Sequence, residues 1–307
     1  MKEFKKILVA IAGFVVCVLI LDFGVGQFFD WAIKRMPSEG ERVAKSEYVM
    51  NKTEADFIII GSSRAEAHYD SQVIKDAFPK YSVFNCGVDG QLFYFINTSF
   101  NAIMDRYTPK VVVWDFQLKD LVDNTPENLS LLYPYYYSND SVKSLLDKQD
   151  CTLKYMLWSN CYRFNGTASR IIRAMRMNGS KKMGFSAHEG GDKSRKIEGD
   201  DLELNEKQLV ADKVALLSST IKRAKSKGIN LILCVSPMYV NLKGNSKTIA
   251  CLRKLAEQND VVFIDDSQQE TFIRNDKYWY DGGHLNAYGA HEFTQLLSIQ
   301  IKETIDL

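Results

Sequence analysis

The stretch Asp56-Phe57-Ile58-Ile59-Ile60-Gly61-Ser62-Ser63-Arg64-Ala65-Glu66-Ala67-His68-Tyr69-Asp70 decides the fold. Phe57 to Ile60 is a short, unbroken apolar run rich in β-branched residues, the pattern of a strand buried on both faces of a parallel sheet. Gly61 permits a sharp turn, and Ser62 or Ser63 is placed to cap the helix that follows. A serine in this position lies at the carboxyl end of a strand and the amino end of a helix. Open α/β sheets bind ligands there, and the free backbone N–H groups and helix dipole favour negative charge. The same N–H groups stabilise the oxyanion that forms when a serine attacks a carbonyl. Most serines at such junctions only cap a helix, so a catalytic reading needs partners elsewhere in the chain.

Downstream, the alternation of strands and helices continues. A helix is expected from about Arg64 to Phe78, with Pro79 just beyond its end. Tyr81 to Asn85 reads as a second strand, running into Asn85-Cys86-Gly87-Val88-Asp89-Gly90, where two glycines imply a tight turn and close backbone approach. Leu92 to Tyr107 reads as a helix and Lys110 to Phe116 as a third strand. The rhythm breaks from 118 to about 204, which reads as an insertion. It holds Leu131-Leu132-Tyr133-Pro134-Tyr135-Tyr136-Tyr137, a helix from about Thr167 to Met177 and the polar stretch Gly179 to Gly199. The tyrosines suit either a sugar-binding surface or, as the default, packing of the insertion. Arg170, Arg173 and Arg176 beside Ile171, Ile172 and Met175 suggest an amphipathic helix whose basic face is solvated. Order returns with a helix from about Glu206 to Lys227, capped by Gly228, then a strand from Ile229 to Val235. A helix over 246–258, a strand from Val261 to Ile264 and a last helix from about Ala287 to Lys302 follow. This pattern predicts an α/β fold in three layers, with about five parallel strands.

At 307 residues, 46% hydrophobic and 25% charged, the chain has material for one large core. A formal net charge of +1 gives no global pull towards nucleic acid. The six cysteines contain no CxxC pair and no zinc-like spacing. Cys151 and Cys161 could bridge in an oxidising compartment, but Cys17 falls in the N-terminal apolar segment and leaves an odd number. That segment is the localisation signal. Lys2, Lys5 and Lys6 precede an apolar run from Ile7 to Leu21, which resumes after Asp22 towards Phe28, Phe29 and Trp31. Basic residues before the run favour a cytoplasmic N-terminus, and the aromatic cluster suits a membrane–water interface. A cleaved signal peptide competes, but no A-x-A site follows, so an uncleaved anchor is favoured. The expected organisation is an anchor over 1–31, a juxtamembrane linker over 32–55 and an α/β domain over 56–307 lying outside the cytoplasmic membrane.

Near the C-terminus stands Tyr280-Asp281-Gly282-Gly283-His284-Leu285-Asn286-Ala287-Tyr288-Gly289. An Asp three residues before a His, in a glycine-rich loop leading into a helix, can hold one imidazole nitrogen and leave the other to deprotonate a hydroxyl. The same pair could ligate a metal, but no further ligand set at suitable spacing accompanies it. A serine first, then Asp and His together at the end of an α/β domain, with a glycine loop after the second strand, is a more specific arrangement. His68 lies five residues past Ser63, off its helical face, and ranks behind His284 as base. Arg64 opposes the helix dipole in the first turn, so it pairs with an acid or contacts a substrate anion. His188 carries no signal.

This set resembles the SGNH, or GDSL-like, hydrolase superfamily. Gly61-Ser62-Ser63 is similar to its first block, with Ser62 in place of the usual Asp. Asn85-x-Gly87-x-x-Gly90 is similar to the second block and Asp281-x-x-His284 to the last. The resemblance implies a flavodoxin-like fold and catalysis by Ser63, Asp281 and His284 without metal or cofactor. It also implies an oxyanion hole formed by the N–H groups of Ser63 and Gly90. The third block would supply an Asn, whereas the chain reads Trp114-Asp115-Phe116-Gln117-Leu118; Gln117 is the candidate replacement, its amide donating from one carbon further away. Arg64 and His68 are candidate substrate contacts. Gly-Ser-Ser-Arg behind an N-terminal anchor resembles the membrane-tethered branch linked to alginate acetylation and teichoic-acid D-alanylation. That implies acyl-ester chemistry on a cell-envelope glycan or polymer, as esterase or O-acyltransferase. The competing reading is a non-catalytic module that binds polymer or scaffolds a membrane-bound acyltransferase.

Overall fold

The computed structural model describes residues 2–178, 182–190, 200–204 and 207–305. The chain divides into two compact units, one of residues 48–128 and 180–307, the other of residues 1–47 and 129–179.

The larger unit is built on a parallel sheet. Its strands are β1 (Phe57–Ile60), β2 (Val83–Asn85), β3 (Val111–Asp115), β5 (Asn230–Val235) and β7 (Val262–Asp265), in spatial order β2-β1-β3-β5-β7. Phe57 pairs with Val83 on one side and Val111 on the other, Val111 with Asn230, and Ile232 with Val262. The order reverses direction between β1 and β3, which opens a crevice at their carboxyl ends. A short parallel pair, β4 (Leu202–Glu203) with β6 (Leu242–Lys243), stands apart.

β1 is apolar at every position because helices cover both faces. Phe57 and Ile59 join Val111, Val113 and Ile232 in a cluster with Ala65, Ile74, Phe293 and Leu297. These last come from α3 (Ser63–His68), α4 (Ser71–Ala77) and α12 (Ala287–Thr304). On the opposite face, Trp114 stacks on Phe93 at 6.2 Å and meets Phe100 edge-on at 5.7 Å, both from α5 (Phe93–Arg106). The helices α10 (Ala211–Ser226) and α11 (Lys247–Asn259) flank β5 and β7. Each fully buried aliphatic or aromatic side chain here contributes roughly 1.5–3 kcal/mol.

The helix expected over 64–78 is two helices. Asp70 takes an extended backbone and its carboxylate accepts from the Gln72 N–H, capping α4 and ending continuity with α3. Ser62 holds the cap position of α3 but makes no side-chain cap bond, so the cap expected from Ser62 or Ser63 is absent. The expected helix start at Glu206 lies outside the described residues, as do residues 179–181 and 191–199 of the polar stretch.

The smaller unit holds α1 (Lys2–Lys34), long and apolar enough to cross a membrane. The expected linker over 32–55 contains α2 (Arg42–Asn51). A 3-10 turn (Ser130–Tyr135) and the helices α6 (Asp140–Gln149), α7 (Leu153–Met156), α8 (Asn160–Asn165) and α9 (Ala168–Ala174) complete it. Tyr135 and Tyr136 are buried, the latter donating to Asp147 at 2.7 Å, while Tyr133 stacks on Tyr162. These three tyrosines pack; Tyr137 is exposed. On α9, Ile171 is buried and Arg173 pairs with Glu41 at 3.2 Å, whereas Ile172 and, just past the helix, Met175 are exposed. Cys151 and Cys161 are free thiols, unbridged.

Candidate active site

The end of β1 is shaped by steric limits at Gly61. Its φ of +152° suits glycine, and a Cβ there would lie 2.6 Å from the Ala65 Cβ and 3.0 Å from the Asp115 carbonyl oxygen. The chain therefore turns tightly out of the sheet and delivers Ser63 as the first residue of α3, half-buried.

The loop after β2 is pinned onto this helix. Asn85 donates from its amide to the carbonyls of Ala65 at 2.7 Å and Tyr69 at 3.0 Å, and its side-chain oxygen accepts from the Gly87 N–H. Val88 N–H reaches the Gly61 carbonyl at 3.1 Å, and Asp89 N–H reaches the Glu66 carboxylate at 2.8 Å. A Cβ on Gly87 would lie 2.6 Å from the Glu66 nitrogen, so this contact requires glycine. Gly90 closes the turn with φ +71° and is exposed. Gln117 follows β3, half-buried, with its main-chain N–H on the Asp120 carboxylate at 2.8 Å.

Asp281 and His284 come from the loop before α12. The Asp281 carboxylate accepts from the main-chain N–H groups of Gly283 and His284, each at 2.8 Å. It then faces His284 Nδ1 at 3.0 and 3.1 Å, and His284 Nε2 stands 2.9 Å from Ser63 Oγ. Partial burial pushes the Asp281 carboxyl up, but the Gly283 N–H and the adjacent His284 outweigh this and hold it below the usual range. Asp281 is thus kept ionised against a ring whose far nitrogen addresses a serine hydroxyl. Ser63, His284 and Asp281, the set the resemblance implies, meet as one hydrogen-bonded chain.

Arg64 and His68, expected as candidate substrate contacts, are withdrawn from solvent. Arg64 donates to the Ser236 hydroxyl and to the main-chain carbonyls of Ser236 and Pro237, and its charge acts on the buried Asp115 carboxyl. His68 is fully buried; its Nε2 accepts from Leu285 N–H at 3.1 Å, which leaves Nδ1 to donate to Ser236 Oγ at 3.1 Å. Burial, reinforced by the Arg64 charge, pushes the His68 pKa well below the ordinary imidazole value. Both side chains tie α3 to the end of β5, and His68 also ties it through Leu285 to the loop that carries His284.

His188 is the residue that sequence reading passed over. It is half-buried, its ring stacks on Tyr280 at 4.5 Å, and it lies 5.4 Å from the His284 ring. Its carbonyl accepts from Ala287 N–H, and Ser186 N–H binds the Glu66 carbonyl, so this segment is docked beside the site. Burial and the neighbouring His284 lower its pKa. No local pattern marks it; its place is set by stacking on a residue 92 positions later.

No protein-family model matches the chain, and no curated protein matches it. Among solved structures, it is similar to a GDSL-like lipase from Bacteroides thetaiotaomicron (15% identity, 81% of this chain and 88% of that one, TM-score 0.42). It is also similar to a lipase/acylhydrolase from Enterococcus faecalis (11% identity, 82% and 98%, TM-score 0.40). A third is a catalytic mutant of an acetylxylan esterase from Geobacillus stearothermophilus (9% identity, 83% and 96%, TM-score 0.42).

Proposed function

We propose that the chain is a serine-dependent acyl-ester hydrolase or O-acyltransferase of SGNH type. The observation that carries this is the chain of contacts from Asp281 through His284 Nδ1 and Nε2 to Ser63 Oγ, at 3.0 and 2.9 Å. A hydroxyl at a strand–helix junction is a poor nucleophile until a base removes its proton, and His284 is held in the geometry that does so.

His284 Nε2 takes the Ser63 proton as Oγ bonds to the ester carbonyl carbon, and the carbonyl electron pair moves onto oxygen. The oxyanion is received by the N–H groups of Ser63 and Gly90 and by the Gln117 amide. Asp281 stabilises the imidazolium. Collapse of the adduct breaks the bond to the alkoxy oxygen, which leaves with the proton from His284, and the acyl group remains on Ser63. Water attacks this ester carbonyl as His284 takes its proton, and collapse breaks the bond to Ser63 Oγ, which takes that proton back, completing hydrolysis with release of the acid; a sugar hydroxyl attacking in the same way completes transfer.

The acceptor class proposed is a cell-envelope glycan or polymer. It rests on the resemblance of Gly61-Ser62-Ser63-Arg64 behind an N-terminal anchor to the membrane-tethered branch, together with the reading of α1 as an uncleaved span with its Lys2, Lys5 and Lys6 end in the cytoplasm. The test is hydrolysis of an acetyl–aryl ester by the wild-type chain beside Ser63→Ala. Turnover that falls by about 10³-fold or more in a folded Ser63→Ala supports the reading. Equal turnover in both overturns Ser63 as nucleophile.

A further inference from the structure

Within the unit of residues 1–47 and 129–179, the two halves of α1 differ. Residues 2–21 are exposed, whereas Gly26, Phe29, Ala32 and Ile33 are buried. The change falls at Asp22, the acid that interrupts the apolar sequence. Its carboxylate accepts from Ser159 Oγ, Asn160 N–H and Cys161 N–H at 2.8 Å each, and from the Asn160 amide at 3.1 Å. Further along, a Cβ on Gly26 would lie 2.4 Å from the Asn160 side chain, Phe29 stacks on Phe164 at 5.2 Å, and Asp30 pairs with Arg163 at 3.2 Å. These contacts, in register, make α8 run beside α1 in the same direction, from the level of Asp22 to that of Asp30.

The residues before Ser159 therefore leave the end of α8 that faces the apolar run. They are Tyr155, Met156 and Trp158, exposed at 73%, 45% and 69%, with Leu157 buried as the packing root between them. Lys154 lies over the Tyr155 ring at 5.0 Å. Exposed Trp and Tyr beside a Lys stem are the chemistry of the headgroup layer, where an amphipathic ring keeps its polar edge in water.

The length of the helix sets the level. Ile7 to Leu21 spans roughly 22 Å at 1.5 Å per residue, short of the roughly 30 Å hydrocarbon layer. A span this short is met by local thinning of the layer and by snorkelling of Lys5 and Lys6, which puts the edge of the layer at Asp22. A bare carboxylate there is costly, and the four donors from Ser159, Asn160 and Cys161 offset that cost. Whatever draws Asp22 to the interface brings the α7–α8 corner with it. We propose that Tyr155, Met156 and Trp158 are seated in the interfacial layer of the membrane that α1 enters, with the Asp22 clamp as the pin. This rests on the reading of α1 as an uncleaved span.

The test uses the full chain in phosphatidylcholine–phosphatidylglycerol vesicles. Single reactive cysteines carry an environment-sensitive nitrobenzoxadiazole label. One variant keeps the native Cys17; others carry Trp158→Cys, Tyr155→Cys or Lys254→Cys, each with the remaining exposed cysteines replaced by serine. Blue-shifted emission, quenched by spin-labelled lipid, is expected at 17, 155 and 158, with an aqueous signal at 254. Adding Asp22→Ala is expected to return the signal of the 158 variant towards aqueous and to leave that of the Cys17 variant unchanged; an unchanged signal at 158 overturns the Asp22 clamp as the pin. An aqueous signal at 155 and 158 with a lipid signal at 17 overturns the inference and leaves the anchor standing. A blue-shifted but unquenched signal at 158 also overturns it, because protein rather than lipid then covers the corner. An aqueous signal at 17 removes the anchor reading, and this inference with it.

Discussion

Asp281 does two jobs at the scale of one residue. Its carboxylate shapes the loop by accepting from Gly283 and His284 N–H, and it orients the His284 ring. Replacing it with Asn preserves size and one acceptor but removes the charge that supports the imidazolium. Asp281→Asn is expected to lower kcat by about 10³–10⁴-fold with little change in KM, read from steady-state hydrolysis of an aryl ester. A loss confined to KM would mean that Asp281 serves binding instead. The pairing of Asp281 with His284 was legible in the sequence because three-residue spacing in a glycine loop constrains both side chains locally. Arg64, His68 and His188 were not legible. Arg64 and His68 find their partner in Ser236, and His188 stacks on Tyr280, across long sequence separations that no local periodicity encodes.

At the scale of elements, the junction of β1 and α3 is the tightest point of the site. Gly61→Ala places a methyl 2.6 Å from the Ala65 Cβ at a φ that side chains rarely adopt. It is expected to destabilise the fold by about 1–3 kcal/mol in urea denaturation and to displace Ser63. Gly282→Ala, where a Cβ would meet nothing within 4 Å, is the matched control and is expected to change stability by less than about 0.5 kcal/mol. Equal effects would remove the steric argument. The strands around this junction could be read directly, because Phe57–Ile60 is apolar on both faces and a helix period does not fit so short a run. The break between α3 and α4 carried a signal as well, since Asp70 before Ser71-Gln72 is a capping sequence, whereas the expected helix end rests on Pro79 alone. The interior of the insertion was not readable, because its short helices take their order from packing on one another and on α1.

At the scale of the whole molecule, buried titratable groups tie stability to pH with opposing signs. Burial pushes the Asp120 carboxyl up to about 7, against the lowering effect of the Gln117 N–H. A carboxyl raised on folding stabilises fully below its unfolded pKa near 3.9, and this contribution is lost as pH rises through the folded value. His68, depressed on folding, acts the other way: its contribution is present above about 6.5 and lost as pH falls. Comparison with Asp120→Asn separates the two. Between pH 4 and 7 the wild type is expected to lose stability relative to this variant by up to about 1.4 kcal/mol per pH unit, read from urea titrations. A pH-independent difference would place Asp120 outside this linkage. The acyl-enzyme itself is the most direct test of function. The chain is incubated with an acetyl–aryl ester, quenched in acid and digested, and the peptide containing Ser63 is weighed by mass spectrometry. An acetyl group on Ser63, absent from a folded His284→Ala, is the result expected; a panel of acyl donors that leaves Ser63 unmodified in the folded wild type would contradict it and favour a non-catalytic binding module.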